Sequence, residues 1–245
     1  MIIESARRSG CPTTIDFNFP ELPSWQRAKA ILDGGAIGRL QNVVVTWNFE
    51  SRATRLHLDS WKTRGEGGGG LLGNFVSHCF HNLEWLCGPI SGLAARVFAL
   101  PDRNADGSVA VALSFASGAG GSLQVSGTSF LGSGHRIELY GDSGTLVLSN
   151  PTADYFRGFE LRLGRQGDDA LKPIAIGDVD EEPLSDSRVA PVSRLVHRLI
   201  DACEHGGDPM PGVAEGYRVQ CLIDATRRAH ATGRWIDVAP PVGRQ

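Results

Sequence analysis

The sequence predicts an α+β fold with a mostly antiparallel sheet. Three observations carry that expectation: a succession of short strand-like segments joined by tight turns, two amphipathic helices after them, and a helix–strand–helix opening before them. With 245 residues the chain can form one large domain, or one domain plus part of another. Hydrophobic residues make up 41% and charged residues 21%, so a core can be buried without disulfide or metal.

Residues 2–9 read as the end of a short helix stopped by Gly10 and Pro12. Residues 13–19, β-branched and aromatic and closed by Pro20, read as a strand. Pro23-Ser24 opens a helix with Trp25, Ala28, Ile31 and Leu32 at helical spacing, ended by Gly34-Gly35. A doubly wound nucleotide-binding domain would open instead on its first strand and phosphate turn. Residues 43–47 (Val-Val-Val-Thr-Trp) form a strong strand signal, followed by a polar loop over 50–64. Strands are then expected near 93–100, 108–115, 121–129, 136–141, 145–149 and 160–164. Turns at Asp142-Ser143-Gly144 and Ser117-Gly118-Ala119-Gly120 make hairpins of them. Residues 178–186 are acidic and read as a surface loop. Helices are expected over 191–205 and 213–232, the second flanked by Gly212 and Gly233.

Net charge is −3, so no global field recruits nucleic acid or an anionic membrane. No apolar run approaches the roughly 20 residues that span a bilayer, and Met1-Ile2-Ile3-Glu4 is not a basic leader before a long apolar core. Five cysteines without CxxC spacing suggest reduced thiols, and the cytoplasm is the expected compartment.

Gly65-Glu66-Gly67-Gly68-Gly69-Gly70 matches G-x-G-x-x-G, but about fifteen residues of polar loop separate it from the preceding strand and no acid follows at the ribose-binding distance. Besides a phosphate turn, the run reads as a flexible linker or as glycines admitting a close backbone approach. The helix after it favours the close approach. At 100° per residue, Phe75, Val76, Cys79, Phe80, Leu83, Leu86 and Cys87 share one apolar arc. Asn74, His78, His81 and Trp85 form a stripe opposite, expected to face outward. Histidines hydrogen-bonded to a neighbouring loop are the structural alternative. A zinc site lacks a third ligand on the stripe, and no metal is expected. A neutral imidazole with a pKa near ~6.5 suits general acid–base work, such as taking a hydroxyl proton while hydride leaves the same carbon. Hydrolysis by a nucleophile is disfavoured: G-x-S-x-G is absent and Cys79 lies on the apolar arc.

Several pieces recur together in one family: the helix before Gly35-Ala36-Ile37-Gly38, the run Gly67-Gly68-Gly69-Gly70-Leu71-Leu72, Val76-Ser77-His78, Glu84-Trp85-Leu86-Cys87-Gly88-Pro89, Glu138-Leu139-Tyr140-Gly141-Asp142-Ser143-Gly144-Thr145-Leu146, and the closing helix from Ala214-Glu215-Gly216. In this order they resemble the glucose–fructose oxidoreductase / inositol dehydrogenase / MocA family of NAD(P)-dependent oxidoreductases. The resemblance implies a large open sheet with helices on one face over residues 39–245, for substrate binding and homo-oligomerisation. It implies that residues 1–38 are the last helix–strand–helix of a Rossmann-like domain. The cofactor-binding residues, for NAD or NADP, and a catalytic lysine are then expected upstream of Met1, with no tight cofactor binding by this chain alone.

Carried over residue by residue, His78 is the expected acid/base. Asn74 stands where the family commonly has Asp, His81 where an acid often stands, and Pro20 where an arginine is often found. Asn74 can orient a hydroxyl but cannot take its proton. His81, Trp85, Lys62, Gly69 and Gly70 complete the expected substrate contacts. The expected substrate is a sugar-like or cyclic polyol alcohol. The competing expectation is a non-catalytic sugar-binding or oligomerisation module.

Overall fold

The computed structural model describes residues 2–65, 68–100, 104–177 and 186–241. Its centre is a nine-stranded sheet: β1 (Leu40–Asn48), β2 (Ile90–Ala99), β3 (Asp106–Phe115), β4 (Gly120–Ser126), β5 (Gly134–Gly141), β6 (Gly144–Asn150), β7 (Glu160–Arg165), β8 (Lys172–Ile174) and β9 (Ile236–Asp237). The order is β8-β7-β6-β5-β1-β4-β3-β2-β9, antiparallel except for the parallel pair β1–β4. Among the described residues six α-helices accompany it: α1 (Ile2–Ser9), α2 (Pro23–Asp33), α3 (Arg52–Arg55), α4 (Ser77–Cys87), α5 (Val189–His205) and α6 (Val213–Thr232).

The alternation in β1 explains its central place. Val43, Val45 and Trp47 are buried, in register with Leu123 and Val125 of β4 on one side and with Ile137 and Leu139 of β5 on the other. Together with Trp25, Ala28 and Ile31 of α2, Phe80 and Leu83 of α4, and Leu222 of α6, they form one core. The side chains between them in sequence point to the opposite face, where Val44 and Thr46 lie beside Ser122, Gln124, Arg136 and Glu138. The β5–β6 hairpin turns at Asp142-Ser143, as the sequence indicates.

Two expectations are corrected. Residues 13–19 do not form a strand: they run extended into a 3₁₀ turn at Phe19–Glu21. A strand needs a ladder, and this segment's backbone instead bonds from Ile15 N–H to the Pro211 carbonyl and from Phe17 N–H to that of Ile15, both 2.8 Å. The polar loop over 50–64 carries α3 and a 3₁₀ turn at Trp61–Thr63, both capped by serines, Ser51 and Ser60. The edge strands β8 and β9 are too short to leave a periodic signal. Of the acidic segment, only Asp186 lies among the described residues, paired with Arg188 at 2.6 Å.

Candidate active site

The helix that carries the histidine stripe begins irregularly. Leu72–Val76 forms a π turn before α4 starts at Ser77. A π turn rotates less per residue than an α turn, so Asn74 is not placed by the 100° wheel that relates His78, His81 and Trp85. The helix start is held by Asp106 at the beginning of β3, whose Oδ2 accepts the Leu72 N–H. Burial raises the Asp106 carboxyl pKa, while bonds from the Leu72 and Leu71 amides oppose that rise. Nothing in the local sequence announces this cap, because it comes from 34 residues away.

The glycine run allows a close approach, but here the approach is to protein. A Cβ at Gly69 would stand 1.9 Å from the Trp61 carbonyl oxygen and 2.0 Å from that of Arg64. At Gly70 (φ +95°) it would stand 2.2 Å from Asp106 Oδ1. The run thereby packs the Trp61–Thr63 turn, with Lys62, against the start of the helix, and Gly70 N–H bonds the Lys62 carbonyl at 3.0 Å. Glu66 and Gly67 lie outside the described residues.

The stripe does not face outward. Phe17, from the extended N-terminal segment, lies over it. His81 stacks on the Phe17 ring at 4.5 Å with the planes 19° apart, and His78 meets the edges of Phe17 (5.5 Å) and Phe19 (5.7 Å). His81 is only 8% exposed. The Nδ1 atoms of both imidazoles are buried without a hydrogen-bond partner. Burial pushes both rings down to about 4. For His78 the neighbouring His81 and the Lys62 ammonium add to the shift, whereas Asn82 and Glu215 resist it at His81. Both are therefore neutral at pH 7, and His78 is a weaker base in this chain than an unperturbed histidine. Cys79 is excluded as a nucleophile, because burial pushes its thiol far up.

The expected residues divide into two groups. Asn74 and His78 lie on one continuous helical segment, and the Lys62 charge is felt at His78. His81 and Trp85 instead line a cleft against α6, and the Lys29 ammonium lies 6.0 Å from the Trp85 ring centre. Beside them Glu84 is clasped by Arg218 of α6, with Nη2 at 2.7 Å and Nε at 3.0 Å from Glu84 Oε1. Sequence reasoning missed Phe17, Asp106 and Arg218. Of these only Arg218 left a trace, as a lone cation next to Val219 and Leu222 on a buried helix face. Among the described residues, no three histidine, cysteine or acidic side chains stand close enough to hold a metal ion. Nor is any described helix long and apolar enough to cross a membrane.

Residues 25–147 match the GFO/IDH/MocA C-terminal domain. An uncharacterized oxidoreductase of Synechocystis sp. is 30% identical over 250 residues, covering 95% of this chain and 67% of the relative. The levoglucosan dehydrogenase of Pseudarthrobacter phenanthrenivorans is 23% identical, covering 91% and 66%. Among solved structures, levoglucosan dehydrogenase in complex with NADH and L-sorbose superposes with a TM-score of 0.78 at 22% identity, covering 94% of this chain and 66% of its own. An oxidoreductase domain protein from Kribbella flavida superposes with a TM-score of 0.82 at 19% identity, covering 96% and 68%. The chain thus spans about two thirds of the length of these relatives. Matched over half its length by the family's C-terminal domain and over nearly all of it by an oxidoreductase, the chain belongs to the glucose–fructose oxidoreductase / inositol dehydrogenase / MocA family.

Proposed function

We propose that this chain supplies the substrate side of an NAD(P)-dependent oxidoreductase that oxidises a hydroxyl of a sugar-like or cyclic polyol. The observation that carries the reading is His78: a neutral, shielded imidazole on a helix start, with Asn74 one turn before it and a lysine charge beside it. The relatives add weight, since levoglucosan dehydrogenase was solved with NADH and with levoglucosan or L-sorbose.

His78 takes the hydroxyl proton as the carbon gives up its hydride. The chemistry that NAD(P) would supply when bound is acceptance of that hydride. Lys62 opposes a second positive charge at His78 and favours negative charge developing on the substrate oxygen. Asn74 orients the hydroxyl through its amide without accepting the proton. Gly69 and Gly70 contribute by letting the Lys62 turn lie against the helix. His81 and Trp85 extend the binding surface along α4. No described residue is assigned to the cofactor, and this polypeptide alone is proposed to bind NAD(P) weakly and to be inactive. A calorimetric titration giving micromolar affinity would overturn that part.

The test of the mechanism is His78→Ala in the form isolated from the native source, after its intact mass is measured. Turnover with levoglucosan and NAD or NADP should fall about 100-fold or more, and unchanged turnover would remove His78 from the reaction. One observation favours a second reading, a non-catalytic sugar-binding or oligomerisation module: Asn74 replaces an acid that could hold a proton. A native mass near 26.2 kDa would support the module. A mass about half again as large would support the enzyme, given the share of its relatives that this chain spans.

Two further parts of this reading are proposals. Self-association through the open sheet face is supported by its small and polar carpet of Val44, Thr46, Ser122 and Ala112; a monomeric mass by light scattering would count against it. The division near Gly38 would be supported if proteolysis between α2 and β1 released two separable parts, and weakened if they stayed together.

A further inference from the structure

We propose that Arg198 is a positioning residue for the His78 face: its one guanidinium ties down both ends of the segment whose Phe17 and Phe19 cover the imidazoles. That segment needs outside anchors, because it runs extended without a ladder. At its near end the Ile15 N–H and the Thr14 hydroxyl both donate to the Pro211 carbonyl, at 2.8 and 3.0 Å. At its far end the Glu21 carboxylate, only 7% exposed, accepts from Arg198 Nη2 at 2.8 and 3.0 Å. The Glu21 carbonyl accepts from Arg194 Nη1 at 2.7 Å. The other arm of Arg198, Nη1, donates to the Met210 carbonyl, beside the first anchor.

Arg194 and Arg198 stand one turn apart on α5, so both reach the same turn at Phe19–Glu21. A carboxylate as buried as Glu21 needs a cation, and the rigid fork of a guanidinium holds two acceptors in one geometry. Between the anchors lie the covering rings. Phe19 is also gripped by Trp25, Trp47 and Phe156. Phe17 has ring contacts to His78 and His81, so its place over them depends on the backbone that carries it. The cover keeps water from the imidazoles and so keeps them neutral and able to take a proton. Loosening either anchor should admit water to the rings. The link to turnover rests on the acid/base reading of His78; the shielding does not.

NMR titration of the histidine side chains in the 245-residue chain tests it, with Arg198→Met and Glu21→Ala as the variants. In the wild type His78 is held to about 4 and should not titrate between about pH 5 and 8. In both variants its midpoint should rise by about one unit or more, toward the ~6.5 of a solvated imidazole. The two variants remove opposite charges, so a direct electrostatic effect would raise the midpoint in Arg198→Met and lower it in Glu21→Ala. Lys62 and Glu215, whose charges act on His78 and His81, are left in place by both. His135, stacked on Trp47 at 4.3 Å, is the control for the core and should stay neutral throughout. The proposal is overturned if His78 stays near 4 in either variant, if the two shifts have opposite signs, or if His135 rises as well, which marks general loosening. Turnover separates this role from the reaction. In the form isolated from the native source, the acid limb of kcat/KM should move to higher pH in Arg198→Met. A limb that stays in place while the NMR midpoint rises would leave the positioning role standing and remove His78 as the base.

Discussion

Replacing Glu84 with alanine removes one half of an ion pair whose side chains are only 9% (Arg218) and 15% (Glu84) exposed. The Arg218 guanidinium would keep its bonds to the Ile90 and Ala239 carbonyls but lose its carboxylate partner. The Ile90 N–H, which Glu84 accepts at 2.8 Å, would lose its partner too. Stranding one member of a buried pair costs about 3–5 kcal/mol. For a chain of this size that corresponds to a fall in Tm of about 6–20 °C. Urea unfolding followed by circular dichroism reads it directly. The paired replacement Glu84→Gln with Arg218→Met leaves no uncompensated charge, and should recover more than half of the loss. The reasoning is refuted if Glu84→Ala costs under about 1 kcal/mol, the range of an exposed pair, or if the double variant is no more stable than the single one.

The glycines and the histidines give two more tests. Gly70→Ala combines a φ of +95° with a collision against the Asp106 carboxylate that caps the helix, and should cost about 2–4 kcal/mol. Gly118→Ala shares the positive φ (+89°) but meets nothing within 4 Å, and should cost only about 1–2 kcal/mol; equal losses in chemical denaturation would contradict the packing argument. His78 and His81 are held down to about 4 and His135, enclosed by aromatic rings, to about 3. Since the unfolded chain binds these protons near ~6.5, the three contribute their full stability above that pH and lose it as pH falls toward 4. At pH 5 the loss reaches about 2 kcal/mol per histidine at most. Urea midpoints that stay flat between pH 7.5 and 5 would refute it.

Most of the sheet was legible because strands carry their periodicity locally. Val43, Val45 and Trp47 alternate whatever they pair with, and Asp142-Ser143 marks its hairpin without help from distant residues. The last helix was equally plain, since Gly212 and Gly233 bracket it and Gly233 adopts φ +66° as its C-cap. Residues 13–19 misled because β-branched and aromatic composition states a preference, while a strand exists only where a second backbone is aligned to share its bonds. The stripe misled differently: the wheel correctly sorted the core arc, but it could not say that Phe17 would lie over the other side.

The α+β class, the hairpin order, the apolar arc of α4 and the place of His78 on the side opposite that arc all follow from patterns local to single elements and the turns between them. Tertiary structure decided the state of that histidine. The weight of Phe17 and Phe19 against it, the Lys62 charge brought in by the glycine turn, and the Glu84–Arg218 clasp that fixes its helix all join residues far apart in the chain. Proton affinity depends on what surrounds a group in space, and no periodicity in the sequence records that.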